Sequence, residues 1–171
     1  MPDLSTILTN VKNGIAKTNN YKITIPQFDL DFHGKGTQLP SSDLGVIEIP
    51  YKGRKLKVPG QRTFAEWTVT IMELENMGMR IEMEAWMNAL DEALTGKLSE
   101  KLGTDMPDVD VAILGKNGKP TMSYKLYGVF PTSIASVDLN FDEQTAPLEY
   151  AVTFQYSFHT VTSGGYGKNA T

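Results

Sequence analysis

The sequence predicts a mainly β fold with one flanking helix. Three observations carry that prediction: apolar and polar residues alternate over several stretches, turn residues punctuate those stretches, and a single segment carries the three-and-four spacing of an amphipathic helix. Tyr21, Ile23 and Ile25 open the first strand, Pro26 interrupts its ladder, and Phe28, Leu30 and Phe32 continue on a shifted register, as in a bent or bulged edge strand. Val46 to Val58 follows, with Gly53 at its centre and Pro50 and Pro59 on its arms. Prolines cannot donate to a central ladder, so this segment, about 41–60, reads as an extended hairpin or ordered loop that projects from the body.

Trp67, Val69 and Ile71 then alternate with Thr68, Thr70 and Met72, the pattern of a half-buried strand over Ala65 to Met72. Met79, Met83, Trp86, Leu90 and Ala93 form the apolar stripe of a helix over about 77–95, with Glu82, Glu84, Asp91 and Glu92 off the stripe and Gly96 as the stop. Asn117-Gly118 joins Val109–Ile113 to Met122–Leu126 in a second hairpin, because the pair supplies the positive φ of a tight turn. Val137, Leu139 and Phe141 alternate with Asp138, Asn140 and Asp142, and Glu149 to His159 reads as one long strand with Tyr150, Val152, Phe154, Tyr156 and Phe158 on one side. The polar, Gly-rich stretch 163–171 has no periodicity and is expected to be a flexible tail on a single domain of residues 1–162.

At 171 residues the chain is long enough to bury one real core. It contains no cysteine, which removes disulfides, thiol nucleophiles and cysteine metal sites. Lys and Arg number 16 against 20 Asp and Glu, a net charge of -4 that argues against a basic face clamped on nucleic-acid phosphates. Neither an export signal nor a membrane anchor is read from it. No catalytic constellation, metal site or cofactor is expected. His33 and His159 are the only histidines and are assigned no role, and Asp108 with Asp110 reads as a solvated acidic turn, since no Gly-anchored ligand loop surrounds the pair. Gly34-Lys-Gly36 and Gly115-Lys-Asn-Gly118 lack a following helix for phosphate binding and read as turn glycines. Met79 and Met83 read as core, while Met77 and Met87 are left open between core and partner surface.

Two stretches resemble the tail tube proteins of contractile-tailed bacteriophages. The first is Pro59-Gly-Gln-Arg62-Thr63-Phe64-Ala-Glu-Trp67-Thr-Val-Thr70; the second is the Gly-aromatic-Pro-Thr turn carried by Gly128, Phe130, Pro131 and Thr132, running into an alternating strand. A weaker likeness covers Tyr21 to Ile25 and the Leu39-Pro40 turn. The resemblance implies two antiparallel sheets packed as a sandwich with the helix on its flank, six copies per ring, and rings stacked into a tube with one continuous inner barrel. It implies a structural virion protein, not an enzyme, assembled in the host bacterial cytoplasm into the tail. Its implied partners are copies of itself, the sheath, the baseplate and tail terminator proteins, and, transiently in the lumen, tape-measure protein and DNA. Related tubes belong to phage-tail-like bacteriocins, extracellular injection particles and type VI secretion, the alternative reading. The methionine-rich helix and the Gly-rich tail depart from the family pattern.

Six copies giving four strands each would close a backbone barrel about 48 Å across, wide enough after side chains for a duplex. Lumen-facing candidates are Asp138, Asn140 and Asp142, or Thr153, Gln155 and Ser157. Lys52, Arg54, Lys55 and Lys57 on the hairpin and Asp105, Asp108 and Asp110 on another loop are candidates for opposite charges that meet between rings. Arg62, Phe64 and Trp67 are expected to organise the hairpin base and the core.

Overall fold

A computed structural model describes residues 18–26, 34–94, 106–137, 139 and 147–163. Their strands are β1 (Tyr21–Thr24), β2 (Gly34–Thr37), β3 (Ser42–Tyr51), β4 (Arg54–Phe64) and β5 (Trp67–Met72), then β6 (Val109–Leu114), β7 (Pro120–Tyr127), β8 (Phe130–Ile134), β9 (Glu149–Gln155) and β10 (Phe158–Ser163). One helix, α1 (Gly78–Leu94), lies between β5 and β6. Strands β1-β6-β7-β10 form one antiparallel sheet, β2-β5-β9-β8 a second, and β3-β4 a separate ribbon.

The alternation read in the sequence becomes the core. On β5, Trp67, Val69 and Ile71 are buried, and on β9 so are Tyr150, Val152 and Phe154. Ile23, Val109, Val111 and Leu126 face them from the other sheet, and Met79, Met83 and Trp86 close the flank from α1. Phe154 sits at the junction, with the Trp67 ring 5.3 Å and the Trp86 ring 6.1 Å away. Each such fully buried side chain contributes about 1.5–3 kcal/mol relative to exposure.

Among the described strands the chain passes between the two sheets four times, and two of those passages, β7 to β8 and β9 to β10, lie at adjacent points. β7 leaves the first sheet through Gly128, at φ +63°, and re-enters the second as β8. The strand expected to run unbroken from Glu149 to His159 is instead two strands, because Tyr156 and Ser157 turn the chain from the second sheet back into the first. The Ser157 amide donates to the Tyr127 carbonyl at 3.0 Å, and a side chain on Gly128 would meet Ser157 Oγ at 3.4 Å, so the two crossings clasp each other. Alternation survives such a break, which is why periodicity alone missed it.

Other expectations shift locally. The Asn117-Gly118 hairpin forms, but as a three-residue loop: the Gly118 amide donates to Gly115 O and the Gly115 amide to Lys119 O, with positive φ at Gly118 alone. That is the pattern of a type I turn closed by a bulge. Val137 and Leu139 lie outside the strands, Leu139 being strongly exposed, and the remainder of that expected strand falls outside the described residues. So do Phe28, Leu30 and Phe32, the Gly96 stop and the Gly-rich tail beyond Ser163.

The helix begins at Gly78, one residue later than expected, since Met77 is in the left-handed region at φ +51°. Its first turn carries no acidic residue. The cap comes from Glu73, just after β5, whose Oε1 accepts from the Arg80 amide and from the Tyr150 hydroxyl at 2.8 Å. A carboxylate there satisfies an orphan amide and complements the helix dipole. Arg80 completes the knot, its guanidinium 5.1 Å from the Tyr150 ring centre and donating to Ala135 O. Burial first, and the Glu73 hydrogen bond second, push the Tyr150 hydroxyl far above its ordinary pKa.

Candidate functional site

Strands β3 and β4 form a ribbon that pairs with neither sheet. Lys52 and Gly53 both take positive φ, 45° and 76°, giving the two-residue turn whose twist matches the flanking strands. The ribbon reaches from Ser42 to Phe64, longer than the expected 41–60. A register shift near Gly45 brings that residue against Gly60, where a Cβ on Gly60 would stand 3.1 Å from the Gly45 carbonyl oxygen; this close approach explains the glycine after Pro59.

The register makes the ribbon two-faced. Ile47 lies opposite Val58, Ile49 opposite Leu56 and Tyr51 opposite Arg54 on one face. Glu48 opposite Lys57 and Pro50 opposite Lys55 occupy the other. Ile47, Ile49, Tyr51 and Leu56 are 45 to 64% exposed, a large apolar area for one ribbon. The charges expected to matter here do not mark this face, although the alternation of Ile47, Ile49 and Tyr51 signals it.

The charges themselves divide. Glu48 takes Lys55 at 2.7 Å and Lys57 at 3.9 Å, so those two lysines are paired within the hairpin. Lys52 sits at the tip, its Nζ 5.6 Å from the Tyr51 ring centre, and Arg54 stands on the apolar face. Among the acidic candidates, Asp108 pairs with Lys125 at 3.3 Å, Asp110 lies directly across the ladder from Lys125, and Asp105 falls outside the described residues. Hydrogen bonding to Asp108 raises the Lys125 pKa.

At the base, Phe64 packs on Tyr156, ring centres 6.1 Å apart, and His159 meets the rings of Phe64 at 5.0 Å, Tyr124 at 5.5 Å and Tyr156 at 5.9 Å. The Tyr156 hydroxyl donates to Ser41 O, and the Ala65 amide donates to the same carbonyl. Burial first, then the Arg62 charge, lower the His159 pKa; its Nδ1 is buried with no hydrogen-bond partner among the described residues. Trp67 anchors the adjoining strand by donating from Nε1 to Gln38 O at 2.9 Å.

Two broad sheet faces complete the surface. On the outer face of β2-β5-β9-β8 stand Gly36, Thr68, Thr70, Met72, Glu149, Ala151, Thr153 and Gln155, alternating with the buried residues of the same strands. Gln155 donates to Glu66 Oε1 at 3.0 Å, and Thr132 donates to Thr153 O. The expected lumen candidates Thr153 and Gln155 belong here, whereas Ser157 sits in the crossing and Asp138, Asn140 and Asp142 are outside the described residues. The first sheet's outer face carries Asp110, Lys125 and Thr160 in one rung, with Tyr127 stacked on Phe158 at 4.5 Å beside it.

A family model described as phage tail tube protein matches residues 1–162. The chain belongs to the phage tail tube protein family. Its relatives include the tail tube protein of Serratia phage KSP90, 24% identical over 153 residues and covering 84% of this chain and 86% of that protein. Tail tube protein gp19 of Enterobacteria phage T4 is 25% identical over 150 residues, 84% of this chain and 90% of that one. Among solved structures, the sheath/tube terminator of the extracellular contractile injection system PVC aligns with a TM-score of 0.66 at 14% identity, covering 87% and 97% of the two chains. The anti-feeding prophage cap aligns at 0.64 with 18% identity, covering 88% and 92%. These likenesses show the fold. In this tail tube protein, the residues that carried the first resemblance, Pro59 to Trp67, build the hairpin base and its entry into the core. Gly128 to Thr132 builds one of the two clasped crossings and the start of β8.

Proposed function

We propose that this tail tube protein forms rings of six that stack through the projecting hairpin into the hollow inner tube of a contractile phage tail, a structural role without catalysis. The observation that carries the reading is the apolar hairpin face, which no other strand or helix of the described chain covers. Such a face is costly in an isolated protein and is covered when a second copy docks on it. Ring closure would pair the edge strands, β1 and β10 of one sheet or β2 and β8 of the other, with those of neighbours, which also removes edges prone to aggregation. Lys52 and Arg54 at the tip, facing Asp105, Asp108 and Asp110 of the next ring, would add register rather than affinity. Sheath protein outside, baseplate and terminator proteins at the ends, and tape-measure protein and DNA inside are the partners that fit a tube, assembled in the host cytoplasm.

The test is polymerisation of purified protein followed by negative-stain microscopy. Unmodified chain should give hollow tubes, and Ile49→Asp with Leu56→Asp should give folded subunits that never stack. Uniform small particles from the unmodified chain under all conditions would overturn the reading. Changing Lys52, Arg54 and Lys55 to Glu tests the charge component separately: like charges would then meet between rings and stacking should be lost, and intact tubes would leave the apolar face as the sole contact.

A further inference from the structure

We infer that His159 is a proton-operated latch on the hairpin: neutral, its imidazole holds the base of β4 against the sandwich, and protonated, it lets the ribbon swing about Ala65 while both sheets stay folded. The inference goes beyond the tube reading, because it concerns the single subunit. Ribbon β3-β4 pairs with neither sheet, so its orientation depends on what its base touches. The polar ties there are weak. The Ala65 amide and the Tyr156 hydroxyl both reach the Ser41 carbonyl, at 3.3 and 3.4 Å, each longer than a typical hydrogen bond. Immediately beyond, the chain is fixed, since Glu66 accepts from Gln155 and Trp67 is buried. Aromatic packing carries the rest of the grip, and His159 sits at its centre. Its ring lies 5.0 Å from that of Phe64 on the hairpin, and 5.5 and 5.9 Å from those of Tyr124 and Tyr156 on the body.

This setting suits a neutral ring. Nδ1 is buried with no hydrogen-bond partner among the described residues, so an imidazolium, with N–H donors on both nitrogens, would leave that one stranded. No element packed on His159 offers compensation. β4 brings Arg62, a like charge, and Phe64; β7 brings Tyr124 and the apolar Leu126; the crossing brings Tyr156. Asp43 of β3 lies opposite Thr63, on the other ribbon face from Arg62 and Phe64. Burial and the Arg62 charge accordingly lower the His159 pKa. Which side gives way follows from the anchoring. His159 is locked into β10 by its ladder with β7, opposite Leu126, whereas Arg62 and Phe64 ride on the ribbon. Repulsion between the imidazolium and Arg62 therefore moves the hairpin and not the sheet.

Because the chain has no cysteine, a pair of introduced thiols takes spin labels without background. Arg54→Cys near the hairpin tip and Ser123→Cys on β7 define a ribbon-to-body distance, read by double electron-electron resonance on full-length subunits kept too dilute to stack. The distance distribution should be narrow at about pH 7.5 and broad at about pH 5, with the far-UV circular dichroism unchanged. His159→Phe should keep it narrow at both values. Arg62→Gln, which removes the like charge and keeps the histidine, should shift the midpoint of broadening upward in pH. The same distribution at both pH values in the unsubstituted background, equal broadening in His159→Phe, or loss of the far-UV signal with the broadening overturns the latch. If His159→Phe does not fold, Arg62→Gln decides alone, an unshifted midpoint overturning it. These readouts need no tubes, so a failure of the tube reading shows separately, by microscopy.

Discussion

Glu73 is a buried carboxylate that ties three elements together, and nothing in the local sequence marks it. It lies beyond the alternating run of β5 and five residues before the helix, so neither strand period nor capping pattern selects it. Its partners, the Arg80 amide and the Tyr150 hydroxyl, come from 7 and 77 positions away. Glu73→Ala would strand both donors in the interior and remove the cap, at a cost of about 2 kcal/mol. A urea midpoint equal to that of the unmodified chain would refute the cap. His159 is the other residue whose setting the sequence hid, since its aromatic neighbours come from β4, β7 and the second crossing. Held below its ordinary 6.5 by burial and Arg62, it binds a proton less readily folded than unfolded. Stability should therefore fall as pH drops through about 6.5 toward the depressed folded value, and be unaffected by this group above that window. His159→Phe should flatten that segment of the profile, measured as urea midpoints between about pH 7 and pH 5; an unchanged slope would assign it to other groups. By contrast Trp67, Val69 and Phe154 were legible, because strict alternation identifies an inward face without knowledge of partners.

At the level of elements, what was read and what was missed follow one rule. Periodicity reports which way a side chain points, not which sheet it joins. Hence β5, the β6-β7 hairpin and the stripe of α1 were placed within a residue or two, while Glu149 to His159 was read as one strand when it serves two sheets. The hairpin shows the same limit in another form. Its turn and prolines were correctly read, but its faces emerge only when register sets Ile49 opposite Leu56 and Glu48 opposite Lys57. The pairing of Glu48 with Lys55 and Lys57 is solvent-exposed and adds at most about 1 kcal/mol. Docking by the apolar face predicts that assembly persists as salt is raised, because screening weakens exposed ion pairs and leaves apolar burial intact. Sedimentation of tubes across a salt series would check this, with dissolution at moderate salt pointing back to the charges.

For the whole molecule, net charge and local charge separate. The chain carries -4, so a ring of six would carry about -24, a field that repels a polyanion at a distance. Thr153 and Gln155, the lumen candidates on the described strands, add no cation, and Glu149 on the same face is acidic. Tubes should therefore co-sediment almost no short duplex even at low salt, whereas Thr153→Lys, adding a ring of cations, should retain duplex in a salt-dependent way. Equal retention by both tubes would count against a neutral bore. The fold class was legible from the sequence, but the make-up of each sheet face was not, since Thr68 and Thr153 lie 85 positions apart and become neighbours only through the β5-β9 ladder.

The route from hairpin to body has a mechanical consequence. β4 runs through Ala65 and Glu66 directly into β5, an interior strand flanked by β2 and β9 and paired with β9 at six successive positions. A force that pulls the hairpin along the strand direction loads those rungs together in shear, where an edge strand pulled sideways would peel one rung at a time. Tension between stacked copies would thus enter each subunit through an interior ladder and not through a sheet edge.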